Sequence, residues 1–327
     1  MPVIVDAMGG DHAPHEIVKG ALGAAQEFGV DIVLVGRESE LSKYSVNNPH
    51  ITVQHAESLV EMHEHPVRAL RAKPEASISV AMRLLQATPG AALITAGNTG
   101  AAMASALMVL GRLEGIERPA IATTLPTLDG EMIAIDCGAN VDCKPGQLLQ
   151  FGMMGSLYAR HVLGVATPRI GLLNNGTEEG KGNEQVREAF ELLKASELNF
   201  VGNVEGNGVY RGVCDVMVTD GFVGNIFLKT SEGLGEVFFR LLQEAAGEAG
   251  AAAEAFRPLQ KKLERFNPSS PVHAGAPLLG VEGCVIIAHG AARADTIRNA
   301  IQLGTRYAAS GALQYIREAC REPRPAS

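Results

Sequence analysis

The sequence predicts an α/β fold, a parallel or mixed sheet covered by helices on both faces. Two observations carry this. Short apolar runs of strand length alternate with segments of helical spacing through nearly all of the 327 residues, the rhythm of βα units. The runs are also continuously apolar, as expected of strands buried on both faces. Hydrophobic residues make up 46% of the chain, enough for a sizeable core. The length fits one large domain or two smaller ones. No linker rich in Pro or Ser divides it, so residues 1–327 are read as a single α/β domain.

The elements follow in order. Pro2–Met8 reads as a buried strand, with Pro14 in the first turn of the helix carrying Ile17, Val18, Ala21 and Leu22. Asp31–Val35 and Ile51–His55 read as further strands. Residues 57–75 are rich in charge and His and read as loops and short helices, and Ser77–Gln86 has helical spacing. Ala91–Thr95 is a strand leading through Ala96-Gly-Asn-Thr-Gly100 into a helix of small residues, Ala101–Leu110. Arg118–Asp136 reads as paired strands around a turn at Leu128-Asp129-Gly130. Pro145 opens a long helix to about Val162. Further strands are expected at Ile170–Leu173, Asn199–Val204, Val213–Thr219 and Gly283–Ala288, and helices at Glu184–Ala195, Ile226–Ala246 and Ala291–Ala309, the last extending toward Cys320. In such sheets ligands bind at the carboxyl ends of the strands, so every Gly-rich exit is expected on one edge. Phe-Val-Gly-Asn occurs at 200–203 and 222–225 in different contexts and is taken as coincidence.

The most informative stretch runs from Ile170 to Asn183. A strand, a loop with Gly176, Gly180 and Gly182, and an expected N-cap at Asn183 form an anion cradle. Bare N–H groups and the helix dipole favour negative charge there, and Lys181 adds a full positive charge. The spacing is not that of a nucleotide loop. Gly176 and Gly180 enclose three residues where a Walker loop needs four, and Gly182 stands where its hydroxyl would bind Mg²⁺. A dinucleotide fingerprint would need glycine at Gln185.

The net charge of −8 argues against nucleic acid as a partner. Five cysteines without a Cys-x-x-Cys pair point to reduced thiols in a cytosol and to no zinc site. The N-terminus lacks the basic and apolar regions of an export signal, and no apolar run is long enough to span a bilayer.

Together the strand exits resemble one family, the acyl-carrier-protein-dependent phosphate acyltransferases of phospholipid synthesis, PlsX. The matching segments are Asp6-Ala-Met-Gly-Gly-Asp11, Ala96–Gly100, Asp136-Cys-Gly-Ala-Asn-Val-Asp142, Gly171–Gly176 with Glu178–Asn183, Thr219-Asp-Gly-Phe-Val-Gly-Asn225 and Ala288-His-Gly290. They are collinear and span nearly the whole chain. The resemblance implies a Rossmann-like three-layer α/β/α sandwich, related to phosphotransacetylase and isocitrate dehydrogenase-like enzymes. It implies conversion of acyl-[acyl-carrier protein] and inorganic phosphate into acyl phosphate, without a cofactor. It further implies a cytoplasmic homodimer attached peripherally to the inner face of the cell membrane, handing its product to a glycerol-3-phosphate acyltransferase.

The residues suit that chemistry. Phosphate is already anionic, so the needs are proximity and a donor for the carbonyl oxyanion. Lys181 and Asn225 are the candidates to polarise the carbonyl or bind phosphate, with Gly97, Asn98 and Thr99 as a second part of the cradle. Asn140, Gly180, Asn183 and Asp220 complete the expected binding set. His12 is a candidate proton donor to the departing sulfur, and His289 is read as structural. Asp6, Asp136 and Asp220 orient the lysine or cap helices. Cys137 is a competing nucleophile through an acyl-cysteine.

Residues 226–266 read as a helical extension. Within 251–266, Phe256, Leu259, Leu263 and Phe266 recur at helical spacing, flanked by Arg257, Lys261, Lys262 and Arg265. Such a basic amphipathic helix can lie on anionic lipid; packing within its own domain or against a second copy is the commoner use. Three alternatives remain from the sequence: a phosphotransacetylase-like enzyme using acyl-CoA, a decarboxylating dehydrogenase of related fold, and a non-enzymatic scaffold for acyl carrier protein.

Overall fold

The computed structural model describes residues 1–44, 48–248, 257–267, 270 and 273–321. Among these, eleven strands form one continuous sheet. Across it they run β3 (Ile51–His55), β2 (Ile32–Gly36), β1 (Val3–Asp6), β4 (Ala92–Thr95), β11 (Cys284–Ile287), β10 (Ala276–Leu279), β5 (Ala120–Pro126), β6 (Glu131–Ile135), β9 (Val216–Val218), β7 (Ile170–Asn174) and β8 (Phe200–Glu205). Side chains alternate between the faces with the strand period of two. Val3 and Val5 point into one core layer and Ile4 into the other; Ile133 and Ile135 are divided likewise from Met132 and Ala134.

One layer is covered by α1 (His15–Phe28), α6 (Pro145–Val162), α7 (Glu184–Lys194), α11 (Ala294–Ala309) and α12 (Ala312–Arg321). The other is covered by α3 (Pro66–Ala72), α4 (Ser77–Ala87), α5 (Thr99–Val109), the short α8 (Gly206–Val209) and the start of α9 (Gly221–Glu248). The short α2 (Glu38–Leu41) and α10 (Arg257–Leu263) are peripheral. The single C-terminal helix expected from Ala291 toward Cys320 is two helices. Gly311, at φ 72°, breaks it before α12.

The sheet corrects one expectation. The pairs β3–β2–β1–β4–β11 and β6–β9–β7–β8 are parallel within each group. Between the groups, β11–β10, β10–β5 and β5–β6 are antiparallel. Three reversals leave the two groups running in opposite directions. The exits of β1, β4 and β11 therefore leave from one edge, and those of β6, β7 and β9 from the other. The two antiparallel steps through β10 cancel, so the β5–β6 pair makes the net reversal; β10 itself is absent from the sequence reading. Its Ala-Pro-Leu-Leu run is too short, and too marked by proline, to announce a central strand.

Candidate active site

At the first edge Asp6 closes β1. Its buried carboxylate accepts from Thr95 Oγ1 at 2.9 Å and from the Met8 N–H at 3.3 Å. Burial pushes this carboxyl above its ordinary range, against the pull of bonds from Ser77, Thr95, Met8 and Gly9. Thr95 Oγ1 also accepts from the Gly97 N–H at 3.1 Å. Asn98 caps α5, accepting from the Ala101 N–H at 3.0 Å, and its Nδ2 donates to Met62 O at 3.0 Å and Glu64 O at 3.2 Å. The Gly97 N–H and the Asn98 side-chain amide are thus committed to holding the loop. Of the expected Gly97–Thr99 cradle, Thr99 alone lines the cleft described below. His12 is half-buried and lines it too. His289 also lines it, with Nδ1 accepting from the Ala291 N–H at 3.2 Å.

At the second edge Asp136 closes β6. Oδ1 accepts from the N–H groups of Ile121 at 3.0 Å and Ala139 at 3.1 Å; Oδ2 accepts from Asn140 N at 2.7 Å and Asn140 Nδ2 at 2.9 Å. The second Asn140 amide bond goes to Pro119 O at 2.8 Å. Asn140 is therefore a brace, not a cleft-lining group. Asp220 caps α9, accepting from the Val223 N–H at 2.8 Å. Among the described residues neither Asp136 nor Asp220 is bonded to a lysine. Cys137 is buried on the cleft wall, and burial pushes its thiol up to about 12. So little thiolate at neutral pH disfavours a nucleophilic role. Asn225, in the first turns of α9, is exposed on the cleft wall beside Gly138. Its side chain has no hydrogen-bond partner among the described residues.

The loop after β7 is held by two asparagines. Asn174 Nδ2 donates to Lys181 O at 3.1 Å, and Asn203 Nδ2 donates to Glu178 O at 2.8 Å. Asn183 caps α7, accepting from the Val186 N–H at 2.9 Å, and lines the cleft together with Gly182. Gly180 and Lys181 are exposed and lie off the cleft wall. Among the described residues the Lys181 ammonium has no ion pair.

The two edges meet in one open cleft of about 2120 Å³, whose wall includes His12, Thr99, Asn183 and Asn225. Between these groups the lining is mostly apolar, with Leu125, Ile287 and Phe239 buried in it. Arg293, at the start of α11, is an exposed cation on this wall that the sequence reading missed. Its position just past the Ala288-His289-Gly290 exit was the available signal. Leu263 and Phe266, expected to face lipid, also line the cleft. Their segment is anchored by Arg265 donating to Leu128 O and by a 2.8 Å bond between His273 Nε2 and Arg265 O. Leu259, Lys261 and Lys262 are exposed, and Phe256 lies outside the described residues. Among the described residues no His, Cys, Asp and Glu cluster has the arrangement of a metal site, and no helix is long and apolar enough to cross a membrane.

Known proteins resemble the chain at two levels. Among solved structures, a phosphotransacetylase from Streptococcus pyogenes matches with a TM-score of 0.64 at 15% identity, covering 94% of each chain. A 4-hydroxythreonine-4-phosphate dehydrogenase from Klebsiella pneumoniae matches at 0.55 and 16%, covering 94% of this chain and 99% of the other. These likenesses show the fold, and it is the α/β architecture expected. Sequence relatives are nearer. The phosphate acyltransferase of Desulfitobacterium hafniense (strain DSM 10664 / DCB-2) is 45% identical over 325 residues, 97% of each chain. That of Geotalea uraniireducens (strain Rf4) is 45% identical over 331 residues, 99% of this chain and 96% of the relative. A family model described as "Fatty acid synthesis protein" matches residues 1–314. On that match and those identities, the chain belongs to the fatty acid synthesis protein family, the PlsX family of phosphate acyltransferases.

Proposed function

We propose that this acyltransferase makes acyl phosphate from acyl-[acyl-carrier protein] and inorganic phosphate by direct attack. A phosphate oxygen adds to the thioester carbonyl carbon, the C–S bond breaks, and the thiolate leaves to take up a proton. The observation that carries the reading is the uncommitted Asn225 amide sharing one cleft wall with His12, Thr99 and Arg293. Asn225 donates to the developing oxyanion. Thr99, Asn183 and Arg293 hold phosphate, and His12 gives a proton to sulfur. Lys181 lies on a loop fastened by Asn174 and Asn203 and reaches over the site when substrate is bound. The apolar lining accommodates the acyl chain.

Two features support the expected surroundings. Leu234, Val237, Phe238 and Leu241 leave an exposed apolar stripe on α9, suited to a second copy. Exposed Leu259, Lys261 and Lys262 suit an anionic membrane surface, where the product passes to a glycerol-3-phosphate acyltransferase.

The test is thiol release from acyl-[acyl-carrier protein] with and without phosphate, with hydroxylamine trapping the acyl phosphate. Release that ignores phosphate overturns the reading. Faster turnover of acyl-CoA than of the carrier-bound donor would favour the phosphotransacetylase-like alternative.

A further inference from the structure

We propose that Asp136 is the positioning residue that sets where the Asn225 amide stands in the cleft. The inference rests on the assignment of Asn225 as an oxyanion donor. Asp136 is fully buried and does not line the cleft, so it acts only through what it holds.

What it holds converges on Asn225. Its two oxygens accept four hydrogen bonds, at 2.7 to 3.1 Å, from the start of β5 and from the loop after β6. The same loop accepts the first N–H of α9, Gly221 N to Asn140 O at 2.7 Å. The backbone of α9 then rests directly on Asp136. A Cβ built on Gly221 would lie 2.7 Å from Asp136 Oδ2, and one built on Gly224 would lie 2.0 Å from Asp136 O. Asn225 is the next residue, and a Cβ built on Gly138, inside the braced loop, would lie 3.5 Å from Asn225 Oδ1. The carboxylate thus ties β5, the β6 exit and the first turn of α9 into one unit.

All four partners are donors, so the site needs an acceptor at both oxygens. An amide at position 136 would turn an NH₂ toward at least one N–H. The loop would shift, and the α9 turn would shift with it. Amides that stabilise an oxyanion are sensitive to misplacement of about 1 Å.

The experiment is a double-mutant cycle of Asp136→Asn and Asn225→Ala in the full chain. It is read as kcat and KM for phosphate-dependent thiol release, with thermal melting of each variant. Asn225→Ala alone should lower kcat by about 10²-fold. Asp136→Asn should do the same chiefly in kcat, and the double variant should also fall by about 10², not about 10⁴. Multiplicative losses overturn the inference while leaving Asn225 in its role. A silent Asn225→Ala overturns both. Should Asp136→Asn fail to fold, Asn140→Ala, which removes one of the four donors and the tie to Pro119, takes its place. The same coupling to Asn225 is then expected, and its absence refutes the inference.

Discussion

Gly224 and Gly233 lie on the same helix, and the structure separates them sharply. A methyl group on Gly224 would lie 2.0 Å from the carbonyl oxygen of Asp136, and the next obstacle, Thr219 Cγ2, is at 2.8 Å. Side-chain contacts of this kind stay beyond about 3.0 Å. The oxygen is backbone, so no rotamer change relieves the overlap. The N-terminus of α9 must move by about 1 Å. A displacement of that size at a reacting centre costs on the order of 10²-fold in rate. At Gly233 a built Cβ meets nothing within 4 Å, and alanine there should stabilise the helix by about 0.5–1 kcal/mol. Gly224→Ala is therefore expected to lower kcat/KM for phosphate-dependent thiol release by about 10²-fold. Gly233→Ala should keep activity and raise the urea midpoint. Equal activities in the two folded variants would refute the placement of the α9 terminus at the reacting centre.

Three further outcomes are expected. Cys137→Ser should keep near-normal turnover without a burst of acyl-enzyme, because the thiol is buried and pushed up to about 12; a large loss of kcat in folded protein would restore the nucleophile. Burial works to raise the Asp215 carboxyl, but its bonds to Arg169, at 2.8 and 2.9 Å, hold it below its ordinary value of 3.8. A lowered folded-state value gives stability that is present above 3.8 and lost as pH falls through the folded value. Asp215→Asn should therefore be less stable than the parent at neutral pH and converge with it in acid, as urea midpoints across pH will check. Reversing charge at Lys261 and Lys262, which are exposed, should weaken sedimentation with anionic vesicles at low salt; undiminished binding would remove this segment from the membrane proposal.

The local units were legible in the sequence because each carries its own signature. Pro145 to Val162 opens on proline and ends where its apolar face ends, as observed. Asn183 was readable as a helix start, since an Asx side chain before a helical run commonly caps it, whereas Asn98, read as part of a phosphate cradle, caps α5. The relative direction of distant strands was not legible. It depends on β10 standing between β11 and β5, so that the expected β5–β6 reversal separates two parallel groups, a long-range fact that four residues do not encode locally. The commitment of a polar group was also hidden. Asn98, Asn140 and Asn225 look alike in sequence, yet two are braces and the third has no side-chain partner among the described residues. Only the positions of backbone carbonyls such as Met62 O and Pro119 O tell them apart.

The insertion of β10 and β11 has a consequence for how the molecule is made. Strands β4 and β5 are built early, yet they are joined only by these two, which come from near the end of the chain. Until the ribosome has delivered Ala276–Ile287, each half carries a raw flank of unpaired backbone. The last two strands act as a keystone, and a nascent chain stalled before them would have both halves of the arch and no catalyst.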